Sequence, residues 1–284
     1  AVNAQKKYWT SYAGTGKITT DKSVARLSFP KTFKLFDLNI DPLRQDLFTV
    51  TDNRVRHTTV ISIPNADGGM EDFEVVEASN FEPALQAQFP EIRAFSGKSL
   101  SDRTATLKMS ISPQGIQTMV FRTDRENEFI EPYSADHTTY AVYKSQRTPG
   151  QLPWACSTAD QRMATDISNQ VAGTNITGRS GGDLKTMRLA QSVTAEYSNY
   201  FGATSSAQVS LVLAAVNNTL TRCNGVYEKD LALHLNLIAN TTSVFYYTAS
   251  SDPYSAASTG AGGAWNSELQ STLTSVIGEA NYDI

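Results

Sequence analysis

Cysteine, histidine and paired carboxylates are the side chains that hold metals and move protons, and this sequence contains few of the first two. Two cysteines, Cys156 and Cys223, and three histidines, His57, His137 and His234, are scattered through 284 residues. Cys156 stands in Pro153-Trp154-Ala155-Cys156-Ser157, inside a stretch rich in Gly and Pro. An accessible thiol in such a segment can serve as a thiolate ligand to zinc. It can equally pair with Cys223 or stay inert, and the residues alone leave all three readings open. Cys223 falls on an apolar helical stripe, which reads as a free core thiol. His234 alternates with leucines and is expected on the solvent face of a strand; His57 and His137 lie in polar turns without partner signals.

The carboxylates suggest no acid–base pair. Glu228 and Asp230 read as solvated charges after a helix end, and Glu279 and Asp283 flank the last segment with nothing opposite them. Gly260-x-Gly262-Gly263 lacks a following Lys or Thr for phosphate and reads as a flexible loop. The sequence contains no G-x-x-x-x-G-K-[ST], no H-E-x-x-H and no C-x-x-C. No catalytic residue is therefore assigned in this chain.

Composition narrows the classes further. A net charge of −4 without clustered Lys and Arg argues against nucleic-acid binding. The longest apolar run, Leu211 to Val216, is far too short for a membrane span. Residues 1–150 hold 18 of the 24 basic and 18 of the 28 acidic side chains, leaving 6 and 10 for residues 151–284. This change of composition suggests a β-rich domain over 1–150, a linker over 151–184 with Pro149-Gly150, Pro153, Gly173, Gly178 and Gly181-Gly182, and an α/β domain over 185–284.

The first half reads as short strands. Residues 104–112 alternate, Pro113-Gln114-Gly115 turns, and residues 116–122 return. Further strands are expected at Thr58–Ile63, Phe73–Ala78, Ile92–Phe95 and Thr139–Lys144, with a helix at Glu82–Gln88 capped by Asn80, in a sandwich or open β-structure. In the second half Met187–Ala195 reads as a strand. Val209, Val212, Leu213, Val216, Leu220 and Cys223 form one helix face, with Thr204 or Ser205 as caps and Gly225 as a stop. Leu231–Ile238 alternates as a strand, and Leu269, Leu273, Val276, Ile277 and Ala280 mark a second helix behind a Ser267-x-x-Gln270 capping box. Asn281–Ile284 reads as the entry to a third strand. Two strands and two helices leave a sheet edge and much apolar surface uncovered. The cover is expected from the first half, from a second copy, or from a missing C-terminal portion.

Several segments resemble a known family. Met187-Arg-Leu-Ala-Gln-Ser-Val-Thr-Ala-Glu-Tyr, Asn224-Gly-Val-Tyr-Glu-Lys-Asp-Leu, Leu235-Asn-Leu-Ile-Ala-Asn and Ala280-Asn-Tyr-Asp-Ile resemble the start of a reprolysin-like (metzincin) metalloprotease domain, as in secreted enzymes of Bacteroidetes-type bacteria. Ile61-Ser-Ile-Pro, Phe89-Pro-Glu-Ile-Arg and Ile130-Glu-Pro-Tyr resemble their propeptides. The resemblance implies a mixed fold, a mainly-β propeptide-like domain followed by the truncated α/β front of a metzincin-like domain, in the N-terminal zymogen portion of a secreted, cell-surface or periplasmic zinc endopeptidase acting on proteins or peptides. The family's H-E-x-x-H-x-x-G-x-x-H helix is absent, so no zinc is expected in this chain and no catalytic residue carries over. Cys156 sits where related proenzymes place an inhibitory zinc ligand, although Ser157 replaces the usual Gly. Processing is expected between Arg179 and Lys185. A different class, a non-enzymatic secreted binding or inhibitory protein, remains the rival.

Overall fold

A computed structural model describes residues 8–52, 57–145 and 183–284. The fold is mixed α/β. Its first part is a single antiparallel sheet of nine strands: β1 (Trp9–Ser11), β2 (Lys34–Leu38), β3 (Thr59–Pro64), β4 (Met70–Glu77), β5 (Arg93–Ser99), β6 (Thr106–Ser112), β7 (Gly115–Phe121), β8 (Glu128–Pro132) and β9 (Thr139–Lys144). Their order is β1-β2-β9-β8-β7-β6-β5-β4-β3, so the chain meanders from β3 to β9 and β2 then pairs with β9. The hairpin expected at 104–122 forms with Ser112 opposite Gly115, whose φ of +102° only glycine adopts without strain. Helix α1 (Ile40–Phe48), which has no counterpart among the sequence expectations, places Leu43 and Leu47 in one core with Trp9, Phe36, Ile61 and Phe73.

Alternation along β6 sends Leu107, Met109 and Ile111 into that core and turns Lys108 and Ser110 to the other face. Those polar residues are buried too, because a helix lies over them. It belongs to the second part of the chain: β10 (Lys185–Leu189), α3 (Ala195–Tyr200), α4 (Val209–Leu231), β11 (Leu233–Leu237) and α5 (Trp265–Val276). Strands β10 and β11 pair in parallel, with α4 as the crossover. The expected strand at 187–195 is shorter because Thr194 caps α3, its side chain accepting from the Tyr197 N–H.

Helix α4 has two used faces. Val212, Leu213, Val216 and Leu220 pack on Leu235 and Leu237 as the periodicity predicts. The opposite face, Asn217, Asn218, Thr221, Gly225 and Glu228, lies on the nine-stranded sheet: the Ser110 hydroxyl donates to Asn218 Oδ1 at 2.6 Å, and Lys108 pairs with Glu228. This overturns Gly225 as a stop. The helix runs through it and ends two turns later, at Ala232 in the left-handed conformation (φ +52°). Gly225 is there for close approach, since a Cβ would sit 2.6 Å from a Phe121 ring carbon and 3.0 Å from Lys108 Cγ. Gly225→Ala gains roughly 1 kcal/mol of helix propensity but overpacks the contact at a cost of ~1–3 kcal/mol. A lower denaturation midpoint is the expected result.

Other caps differ as well. Ser267 and Gln270 lie inside α5, where Ser267 donates to the Ala264 carbonyl and Gln270 to Thr274 and Tyr282, so they form no capping box. Neither Thr204 nor Ser205 caps α4: Gln208 stands at its N-cap without a side-chain cap bond, and Gln208 Oε1 instead accepts from the Thr204 N–H. Residues 260–264 form a π-type turn broken at Gly263 (φ +116°) rather than an open loop. No helix among the described residues is long and apolar enough to cross a membrane.

Candidate functional site

The two parts of the chain meet through the connection between β4 and β5. Residues 79–82 run alongside β11: the Leu237 N–H donates to the Asn80 carbonyl at 2.8 Å, and the Glu82 N–H donates to the Leu237 carbonyl at 2.9 Å. The short sheet thus gains a third, parallel segment on the β11 side, which is the cover expected from the first half. Helix α2 (Pro83–Gln88) follows, with Glu82 and not Asn80 at its N-cap. Phe81, Leu85 and Ile92 complete the core formed by α4, β10 and β11.

Asn80 works as a hub instead. Its Nδ2 donates to Asn217 Oδ1 (2.9 Å) and Thr221 Oγ1 (2.8 Å), and its Oδ1 accepts from Asn224 Nδ2 (2.9 Å). Asn224 also exchanges two hydrogen bonds with the Leu235 backbone, and Asn217 donates to the Arg93 carbonyl. All four residues are buried.

Beside this cluster, His234 is buried, which corrects its placement on a solvent face. Its Nδ1 lies 2.7 Å from Glu228 Oε1, and its Nε2 lies 3.2 Å from the Ser79 carbonyl and 3.1 Å from Asn236 Oδ1. Glu228 is neither past a helix end nor merely solvated. It sits in the last turns of α4 between His234 and Lys108. Burial works to raise its carboxyl pKa, but the hydrogen bonds and charges of His234 and Lys108 outweigh that and hold it below the usual range. A lowered folded value means that Glu228 stabilises the docked helix above the unfolded pKa of roughly 4.3 and loses that contribution as pH falls through the folded value. Glu228→Gln should therefore lower the urea midpoint at pH 7, and its difference from wild type should shrink on titration towards pH 3.

The remaining sequence candidates are spread apart. His57 is exposed, while His137 has a partner, Asp21, whose Oδ2 lies 3.1 Å from Nε2. Asp283, read as unopposed, pairs with Arg188 at 2.7 Å. Asp230 is exposed within α4. Lys185 opens β10 with an exposed side chain, its N–H bonded to the Ala232 carbonyl. Cys156 and Arg179 lie outside the described residues.

Among the described residues, the β10 edge away from β11 carries only the last ones, which form no strand: the Asp283 and Ile284 N–H groups donate to the Arg188 carbonyl, and the Ala190 N–H donates to the Ile284 carbonyl. Grooves of about 510 Å³ and 380 Å³ adjoin this edge. The larger is mainly apolar, lined by Val216, Leu220, Cys223, Tyr227, Leu189 and Ile284 among others. Cys223 has no disulfide partner among the described residues, and burial pushes its pKa up, which favours the neutral thiol. This edge can take up an extended segment through backbone bonds and apolar contacts; among the described residues it holds no nucleophile–base pair.

Residues 183–284 match the family model described as metallo-peptidase family M12B, reprolysin-like. The match covers β10, α3, α4, β11 and α5 and leaves the nine-stranded sheet outside it. No curated protein and no solved structure matches the chain. M12B peptidases use zinc, but the residues described here do not fit a catalytic zinc: among them no group of three His, Cys, Asp or Glu side chains could hold a metal ion. Both nitrogens of His234, the one histidine in the reprolysin-like region, already face oxygen partners. What sequence reasoning missed is Asn80 as a hub. Its only local signal is an Asn before Phe-Glu-Pro, which reads more simply as a cap.

Proposed function

We propose that this chain is the N-terminal portion of a secreted zinc endopeptidase precursor of Bacteroidetes type, with the nine-stranded sheet as its propeptide and residues 183–284 as the front of the peptidase domain. The match of residues 183–284 to the reprolysin-like family carries the reading. The family's zinc-binding helix is not among these 284 residues, so the activity is proposed for a longer precursor acting on protein or peptide substrates outside the cell or in the periplasm. Zinc supplies an activated water in such enzymes, and no residue here is assigned to that step. Cys156 is the proposed inhibitory zinc ligand, and maturation is proposed between Arg179 and Lys185.

The test is to express the longer coding sequence and assay casein hydrolysis before and after limited trypsin treatment. Activity that appears with a first cut between Arg179 and Lys185, and that a zinc chelator abolishes, is the expected result. A precursor that folds and is cut but hydrolyses nothing would replace this reading with the non-enzymatic one, a binding or inhibitory protein built on the sheet.

A further inference from the structure

We propose that the β11 edge and the Asn217–Thr221–Asn224 face of α4 form a sequence-reading strand-acceptor site, filled by Asn80-Phe81-Glu82, so that the first half recognises the second as a separable partner and stays bound once the connection between them is cut. The proposal goes beyond the peptidase reading and does not depend on it.

Strand addition to a sheet edge takes affinity from main-chain bonds and specificity from side-chain pockets. Both are present. The main-chain part is the pair of bonds between Leu237 and residues 80 and 82, extended by the Ala239 N–H, which donates to Glu82 Oε2 at 2.8 Å. The side-chain part is a buried amide that must donate twice and accept once. Asn80 gives both Nδ2 protons to Asn217 and Thr221 and takes one from Asn224. Aspartate in its place has no proton for Asn217 Oδ1, and leucine has nothing to offer Asn224. Unsatisfied buried polar groups carry the full desolvation penalty, so either residue is rejected. Next to it Phe81, 3% exposed, fills an apolar slot in the core of the second half. The donor segment is preorganised: the Ser79 hydroxyl donates to Gln86 Oε1 and accepts from the Phe81 N–H, while Pro83 keeps Glu82 extended.

The site lies on the opposite side of the short sheet from the β10 edge and its grooves. The first half therefore grips the second without occupying the edge where a further strand would add. Covalent continuity only raises the effective concentration of a contact that is already specific.

The experiment uses the full chain with a site-specific protease sequence placed within residues 150–178. After cutting, the wild-type halves are expected to travel as one particle on size exclusion at micromolar concentration, with the Leu237 amide still slow in hydrogen exchange. Asn80→Asp, cut the same way, should bind at least about ten-fold more weakly. Should the intact Asn80→Asp chain fail to fold, wild-type halves are challenged with peptides spanning residues 77–92 that carry Asn or Asp at position 80. Displacement by the Asn peptide alone supports the reading of that residue, and displacement by both or by neither overturns it. Separation of the cut wild-type halves, or rapid exchange at Leu237, would overturn the whole proposal. None of these readouts involves peptidase activity, so the two readings fail separately.

Discussion

Residues 183–284 expressed alone should give no cooperative unfolding transition and no monodisperse monomer. Phe81, Leu85 and Ile92 are at most 3% exposed in the core they share with α4, β10 and β11. Each such side chain is worth ~1.5–3 kcal/mol of burial. Their loss alone takes a large share of the ~5–15 kcal/mol that holds an ordinary domain together. The shortened fragment also bares the β11 edge and leaves Asn217, Thr221 and Asn224 without Asn80. Circular dichroism during urea unfolding, with light scattering for size, checks this. A monomer with a sharp transition and a slope appropriate to its size would show that the second half needs no cover.

The second large effect is expected at Arg122. Its side chain is 1% exposed and makes a two-pronged pair with Glu71, at 3.0 Å from Nη1 to Oε1 and with Nη2 on Oε2. Glu128 and Asp102 approach it at 3.4 Å. Burial favours the neutral Glu71 carboxyl, but Arg122 and the Ser99 hydroxyl override it and keep the pKa below the usual range. Arg122→Ala strands two buried carboxylates, a class of change that costs ~3–5 kcal/mol. Lysine is no rescue, because a point charge cannot reproduce the fork. The sign with pH follows from the lowered Glu71 value: the stabilisation is full above roughly pH 4.3 and is lost as pH falls through the folded value. The gap between Arg122→Ala and wild type should therefore be wide at pH 7 and narrow near pH 3, as read from urea midpoints.

Much of the architecture is legible in the residues, and the losses have physical reasons. The hairpin at 104–122, the strand at 139–144 and the apolar stripe of α4 are local patterns that burial reinforces. The expected alternation of β6 holds, yet Lys108 and Ser110 look like a solvent face and are a docking face, because a helix presents Asn218 and Glu228 to them from 108 and 120 positions away. The same long-range pairing misleads the reading of His234, Glu228 and Gly225: each has a local meaning as surface, charge or stop that its distant partner overrides. Asn80 stands beside a real helix start, but its side chain is claimed by residues 137 to 144 positions away. No local periodicity carries that. Over residues 183–284 the resemblance that the residues carry agrees with the family-model match.

The polar underside of α4 also bears on the order in which the protein is made. A ribosome adds ~5–20 residues per second, so on the order of ten seconds separates the emergence of β9 from that of α4 and β11. Antiparallel sheets of this kind close in milliseconds to seconds. By the time Asn217, Thr221 and Asn224 leave the exit tunnel, Asn80, Lys108 and Ser110 already stand in place on a finished sheet. The second half is thus born onto its template, and its unpaired amides never have to wait for a partner still to be synthesised.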